Sequence, residues 1–301
     1  MANSKNIIVT GGTGMLGSHL LLQLAKNGYS VKALKRAGSS IAITQQVFQA
    51  FSHNAAALLS KIQWIDVDLL DFWALAEVMG DDAIVYHCAG MVSFHSKDKA
   101  LLEINNIKVT ENLVNVCLEK KAKKFLYVSS IAALGRAVNN EMVTEQTYWQ
   151  PSGKNSFYSY TKFAAEREVC RASAEGLPVV ILYPSVILGV GDWSKCSAAL
   201  FSTMYKGLKF YTHGINGYVA ATNVAELAVR LMESEMVNDN FIISSENLSY
   251  KKLFQMMAKG FKMKAPAIRA RAWMSKMGCY TLWLIEKISG KRSLITFETA
   301  T

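Results

Sequence analysis

Tyr158 and Lys162 stand four residues apart in the run Tyr158-Ser159-Tyr160-Thr161-Lys162. On a helix that spacing puts both side chains on one face, one turn apart. A free tyrosine has a pKa near 10 and is a poor acid or base at neutral pH. A neighbouring ammonium favours the phenolate and lowers that pKa, so the pair reads as an acid/base group with its activator. Upstream, the apolar run Phe125-Leu126-Tyr127-Val128 ends in Ser129-Ser130. If the run is a strand, Ser130 is placed to hydrogen-bond a substrate carbonyl or hydroxyl and hold it against Tyr158. Ser129 is left a turn-capping role or a cofactor contact. A Tyr/Lys pair at this spacing is also a common surface feature, and its weight comes from where it sits in the chain.

Near the N-terminus stands Thr10-Gly11-Gly12-Thr13-Gly14-Met15-Leu16-Gly17, where an apolar run gives way to an amphipathic one. The first glycine of the three-residue series Gly11, Gly14, Gly17 permits a tight turn. The second lets backbone N–H groups approach a pyrophosphate, and the third lets the helix pack closely on the strand. The helix N-terminus then offers unpaired N–H groups to negative charge. After a strand and at the head of a helix, the triplet reads as a dinucleotide site rather than an incidental turn. Gly11, Thr13, Gly14, Met15, Leu16 and Gly17 are expected against the cofactor, with Tyr158 and Lys162 at its nicotinamide end.

The second strand decides between cofactors. A carboxylate at its end holds the ribose 2′-hydroxyl of NAD, whereas arginine there accommodates a 2′-phosphate. This chain has Ala33-Leu34-Lys35-Arg36 and no carboxylate nearby. Arg36 is the expected clamp, its planar fork suiting a phosphate, with Lys35 adding charge. NADP(H) is therefore preferred over NAD(H), against the plainer reading of two solvated cations.

These groups need a scaffold, and the first 185 residues supply its pattern. Short apolar runs at 7–10, 30–34, 62–66, 83–87, 124–129 and 178–182 alternate with helix-like stretches at 15–27, 69–79, 99–120 and 156–174. Such alternation predicts an α/β fold, a Rossmann-type doubly wound parallel sheet covered on both faces. The long crossover 37–61 is expected to carry a helix of its own at 45–60. After Pro184 the pattern changes, with helices expected at 195–207, 223–234 and 250–261 and single strands near 217–220 and 240–243. The division predicted is a dinucleotide-binding domain over 1–185 and a smaller, partly interleaved α/β substrate cap over 186–301. Ligands of open parallel sheets bind beyond the carboxyl ends of the strands, so the cap would close over that edge.

With these pieces in order, the chain resembles the extended short-chain dehydrogenase/reductases, the NAD-dependent epimerase/dehydratase family. The matching pieces are residues 10–17, Asp68-Leu69, His87-Cys88-Ala89-Gly90, Asn106-Ile107-Lys108-Val109-Thr110, Ser129-Ser130, Tyr158 with Lys162, and Tyr183-Pro184-Ser185-Val186-Ile187-Leu188-Gly189. The resemblance implies that Asp68 and Leu69 contact the adenine. It puts Ala89 and Gly90 on the path to the nicotinamide, and Pro184 to Val186 beside its carboxamide. Ser130, Tyr158 and Lys162 would form the catalytic set, with Asn106 holding the helix after the fourth strand and a proton-relay water. Tyr183 to Val186 look closest to the dihydroflavonol-reductase and 3β-hydroxysteroid-dehydrogenase-like branch. Members acting on nucleotide sugars often carry arginine just before that proline, where this chain has Tyr183, and Asn223 replaces a common aspartate.

The totals set limits. The 301 residues carry a net charge of +10, which would suit nucleic acid, a membrane surface or small anionic ligands, but no nucleic-acid motif accompanies it. Cys88, Cys117, Cys170, Cys196 and Cys279 lie far apart, and are expected to be reduced, mostly buried thiols with no metal. The start, Met-Ala-Asn-Ser-Lys, is neither a signal nor a transit peptide, so a cytoplasmic location is expected. His87, His95 and His213 are isolated and read as hydrogen-bonded or pocket-edge residues. The basic, aromatic stretch 269–292 is read as a pocket-lining helix or dimer contact in preference to a membrane-surface helix. Monomer and homodimer both stay open.

The function favoured is an NADP(H)-dependent oxidoreductase acting on a carbonyl or alcohol of a small, fairly apolar substrate. The alternative is a nucleotide-sugar epimerase or dehydratase with tightly bound NAD(P). A nucleotide-loaded sensor is a third reading, disfavoured by an acid/base set that a sensor does not need.

Overall fold

The computed structural model describes residues 5–135, 142–153, 155–270 and 274. Six short strands, β1 (Ile7–Thr10), β2 (Val31–Lys35), β3 (Ile62–Asp66), β4 (Ile84–His87), β5 (Lys124–Val128) and β6 (Val179–Pro184), lie parallel. β1, β4 and β6 are buried at every position, as strands covered on both faces must be. Between them run α1 (Met15–Lys26), α2 (Ala42–Phe51), α3 (Ala55–Leu59), α4 (Phe72–Met79), α5 (Lys99–Leu102), α6 (Val109–Glu119) and α7 (Phe157–Ala174).

The chain then forms β7 (Val186–Leu188), α8 (Ala198–Tyr205), β8 (Phe210–Tyr211), β9 (Ile215–Ala220) and α9 (Ala221–Glu233). It continues with β10 (Asp239–Ile243), β11 (Glu246–Ser249), α10 (Tyr250–Phe261) and β12 (Ile268–Arg269). The central sheet has seven strands in the order β10-β6-β5-β4-β1-β2-β3. One core packs α1, α2 and α9 on one face through Leu20, Leu24, Phe48, Val224 and Val229. The other packs α4, α6 and α7 through Leu75, Met79, Leu113, Ala165 and Val169. A third, smaller core gathers Met204, Tyr218, Leu253, Phe254 and Met257 around β11-β9-β7, α8 and α10. No helix among the described residues is long and apolar enough to cross a membrane.

The doubly wound parallel sheet is as expected, and four details are not. The strand near 240–243, expected in the cap, is β10, parallel to β6 at the edge of the central sheet. A single apolar run cannot say which sheet it joins; the packing of α9 on α1 carries the chain back to that edge. The helix expected at 45–60 is two, α2 and α3. Between them Ser52 Oγ donates to Asn54 Oδ1 at 2.6 Å, a local bond that competes with the helix. The helix at 99–120 contains a π-helical turn over Glu103–Lys108 between α5 and α6. The thiols were expected mostly buried, yet Cys170 and Cys196 are exposed, because they ride on the outer side of α7 and on the loop before α8. Beyond Ala270, all of the basic, aromatic stretch 269–292 except Met274 lies outside the described residues.

Candidate active site

β1 delivers the glycine loop. Gly11 adopts φ +72°, and a Cβ there would lie 2.5 Å from the Ala89 backbone nitrogen, so the loop and the turn after β4 touch through bare backbone. At Gly17 a Cβ would meet the Gly11 carbonyl oxygen at 2.2 Å, which is how closely α1 seats on the loop. Gly14 differs: its nearest neighbour would be the Gly11 oxygen at 3.4 Å, so its outer side is open. It begins α1 without a side-chain cap, leaving first-turn N–H groups for an anion. An open backbone cradle on a helix N-terminus fits a dinucleotide's pyrophosphate. A cavity of about 550 Å³ adjoins the loop at Thr13, bounded also by Ser39, Ile43, Gly191, Asp192, Trp193 and Lys195. Of the other two loop residues, Met15 packs against Gly191, and Leu16 turns towards the core.

At the adenosine end the two expected cations differ. Lys35 Nζ donates to Asp66 Oδ1, so its charge is already paired. Arg36 is exposed and makes no ion pair among the described residues. Asp68 is exposed, its carboxylate accepting from Leu70 N at 3.0 Å, and Leu69 is half-buried with its carbonyl held by Asn112 Nδ2 at 2.7 Å. Ala89 N donates to Thr10 Oγ1 at 3.3 Å, joining the turn that holds Ala89 and Gly90 to the end of β1. Pro184 ends β6 and Val186 opens β7, at the carboxyl edge of the same sheet.

The catalytic helix is fixed at its start. Ser156 Oγ accepts from Ser159 N at 3.1 Å and caps α7, while Ser159 Oγ donates to Ala132 O at 2.7 Å, binding it to the turn after β5. Ser130 follows β5 and caps the turn Ile131–Leu134. It accepts from Ala132 N at 3.2 Å, and its hydroxyl lies near enough to the Tyr158 phenol to favour the phenolate. Burial pushes that phenol up to about 12, with the Ser130 hydroxyl pulling the other way. The Phe94 ring stands edge-on to Tyr158 at 5.8 Å.

Lys162 lies one turn on, 5 % exposed. Its Nζ donates to the Val128 carbonyl at 2.8 Å and stands 4.3 Å from the centroid of the Tyr127 ring. Burial lowers its pKa to about 7, resisted by Glu166 and Cys88. The expected lowering of the Tyr158 pKa by this ammonium is not seen in the chain alone, where burial raises it. Lys162 faces Val128, its charge falls on His87, Cys88 and Glu166, and burial dominates at the phenol.

Asn106 lies in the π-helical turn and is fully engaged. Its Oδ1 accepts from Met91 N at 2.7 Å, and its Nδ2 donates to Met91 O and Thr161 Oγ1, both at 3.0 Å. Both amide protons are spent on protein, so this residue clamps the loop after β4 to the catalytic helix. His87 is buried between Thr10 Oγ1 at 2.7 Å and Thr110 Oγ1 at 3.0 Å, a structural bridge as expected. Ser129 donates to Glu166 Oε2 at 2.7 Å, and Tyr183 Oη to Glu166 Oε1 at the same distance. Glu166 was not singled out from the sequence. The available signal was its place four residues after Lys162, which puts Tyr158, Lys162 and Glu166 on one face of α7. Phe94 carried no signal, since only the fold brings it to the phenol.

A parallel sheet with a bare phosphate cradle at one strand end defines an NAD(P)-dependent enzyme of the extended short-chain dehydrogenase/reductase type. The chain belongs to the NAD dependent epimerase/dehydratase family, whose model matches residues 7–243. It is 25 % identical over 295 residues to a protein named "Putative dihydroflavonol 4-reductase" from Synechocystis sp., covering 96 % of this chain and 81 % of that one. It is 25 % identical over 259 residues to the sterol-4-alpha-carboxylate 3-dehydrogenase, decarboxylating, of Dictyostelium discoideum, covering 83 % and 74 %. A UDP-glucuronic acid 4-epimerase from Bacillus cereus, solved with UDP-glucuronic acid and NAD, shares the fold at TM-score 0.73 and 23 % identity, covering 88 % and 86 %.

Proposed function

We propose that this enzyme is an NADP(H)-dependent oxidoreductase that reduces a carbonyl, or oxidises the matching alcohol, on a small and fairly apolar substrate. The observation that carries the reading is the Tyr158 phenol at the head of α7, set beside Ser130 just past β5 by the Ser159–Ala132 bond. When bound, the nicotinamide supplies or accepts the hydride. Ser130 polarises the substrate oxygen, and Tyr158 Oη gives that oxygen its proton, or takes it back in the reverse direction. A phenol held near 12 is protonated at neutral pH, so the resting group carries the proton that reduction consumes, as a weaker acid than free tyrosine. Lys162 holds the cofactor ribose, and Asn106 and Glu166 keep the helix and the strand ends in place.

Gly11, Thr13, Gly14, Met15, Leu16 and Gly17 hold the pyrophosphate, Asp68 and Leu69 the adenine, and Ala89, Gly90, Pro184 and Val186 the nicotinamide. Arg36 holds the 2′-phosphate, which favours NADP(H) over NAD(H). An apolar substrate suits the Phe94 ring beside the phenol, and position 183, where sugar-nucleotide enzymes often carry arginine, is a buried tyrosine bonded to Glu166. Two of the chain's relatives, those from Synechocystis sp. and Dictyostelium discoideum, carry reductase and dehydrogenase names.

The test is NADPH oxidation across a panel of ketones and aldehydes, with the copurifying nucleotide identified. Turnover with apolar carbonyls that vanishes in Tyr158→Phe supports the reading. A retained NAD(P) with no net NADPH consumption would instead favour an epimerase or dehydratase.

A further inference from the structure

The net charge of +10 is not spread over the molecule. Residues 193–225 and 247–270 hold nine lysines and arginines and no carboxylate, so the rest of the chain is close to neutral. Eight of the nine, Lys206, Lys209, Lys251, Lys252, Lys259, Lys262, Lys264 and Arg269, are exposed and form no ion pair among the described residues. Cations left unpaired and grouped are poorly placed to stabilise the fold, since each repels its neighbours.

Three contacts join them into one surface. Lys251 Nζ lies 5.6 Å from the Tyr211 ring, tying α10 to β8. β8 pairs with β12, setting Phe210 beside Ile268. Tyr205, at the end of α8, meets Phe261 of α10 with ring centroids 5.5 Å apart. Large apolar side chains stand among the cations: Tyr205 is 63 % exposed, Met256 50 %, Ile268 48 % and Phe210 43 %. On α10 the sequence Lys252, Met256, Lys259 runs along one side, opposite the buried Leu253, Phe254 and Met257.

We propose that this face of the cap docks peripherally on an anionic lipid surface. Charge complementarity selects the occupant. Residues 271–301 carry Arg271, Lys276, Lys287, Lys291 and Arg292 against only Glu286 and Glu298, and a second copy would present the same eight cations. Both are repelled. Nucleic acid would use the cations but gain little from Met256 or Ile268, whereas a lipid interface uses both, the apolar tips entering below the headgroups. The surface adds nothing to the reaction chemistry and stands whether or not the proposed substrate class is right.

The experiment is co-flotation of the full chain with vesicles of phosphatidylcholine alone and with about 30 % phosphatidylserine. Binding to the anionic vesicles only, reversed by about 0.5 M salt, is expected. Each neutralised cation should weaken it by about fivefold, so Lys259→Gln/Lys262→Gln/Lys264→Gln should bind about a hundredfold more weakly. Met256→Ser/Ile268→Ser should weaken binding with the charge unchanged. Thermal unfolding of each variant checks that the fold is kept. No binding to anionic vesicles overturns the proposal, as does a triple variant that binds like the parent. Binding to duplex DNA as tight as to vesicles and insensitive to Met256→Ser/Ile268→Ser overturns it in favour of nucleic acid.

Discussion

Alanine at Gly14 and at Gly17 should have opposite consequences, although the two stand three residues apart in one loop. At position 17 the new Cβ would lie 2.2 Å from the Gly11 oxygen, 2.7 Å from the Gly11 carbonyl carbon and 2.8 Å from the Gly12 Cα. All three are backbone atoms, so α1 must retreat from the loop by about 1 Å, an overpacking that costs about 1–3 kcal/mol. At position 14 the nearest atom is 3.4 Å away and φ is −87°, which alanine adopts without strain. Stability should there change by no more than about 0.5 kcal/mol. The methyl group does, however, occupy the open side of the cradle, where a pyrophosphate would seat. A loss of about 1.5–3 kcal/mol in binding corresponds to about 10–150-fold in Kd. Thermal unfolding and calorimetric titration with NADPH read both quantities. Gly17→Ala should lower Tm by several degrees, and Gly14→Ala should keep Tm and lose NADPH. A Gly14→Ala variant that binds NADPH as the parent does would refute the placement of the pyrophosphate.

Three further outcomes follow from the same geometry. Lys162 has its folded pKa lowered by burial to about 7, so between pH 7 and 10.5 the unfolded chain holds a proton that the folded one has released. Its burial therefore opposes folding most below pH 7, and stability rises with pH across that window, by at most about 5 kcal/mol. Urea titrations of Lys162→Met should show a flatter curve there, and an unchanged slope would contradict the assignment. Glu166→Gln removes the charge that accepts from Ser129 and Tyr183 and supports the Lys162 proton. Stability should fall by about 1–3 kcal/mol, and Lys162 should titrate at lower pH. Arg36→Ala should reduce kcat/KM for NADPH by about 10–150-fold and leave NADH nearly unaffected, as loss of a charge-assisted phosphate contact requires. An unaltered NADPH to NADH ratio would reject Arg36 as the clamp.

The parallel sheet was legible because its strands are short apolar runs between amphipathic ones, and the glycine loop because three glycines at fixed intervals have few other uses. What escaped depends on contacts distant in sequence. The edge strand β10 is the plainest case: nothing in the run Asn240-Phe241-Ile242-Ile243 says that it pairs with β6 rather than with cap strands. Spacing put Tyr158 and Lys162 on one face but could not reveal that Nζ turns to the Val128 carbonyl. The pairing of Lys35 with Asp66 joins two adjacent strands whose register is set by the whole sheet. Net charge was visible in the composition, yet its gathering on one face of the cap needed α8, α10 and the β8–β12 pair in place.

The most direct measurement is kcat/KM for carbonyl reduction in Tyr158→Phe, with the Kd for NADPH determined on the same preparation. Removal of one hydroxyl should lower kcat/KM by about a hundredfold or more while the Kd stays within a few-fold of the parent. Reduction at the parental rate by a variant that lacks this oxygen would contradict the claim that Tyr158 is the proton donor.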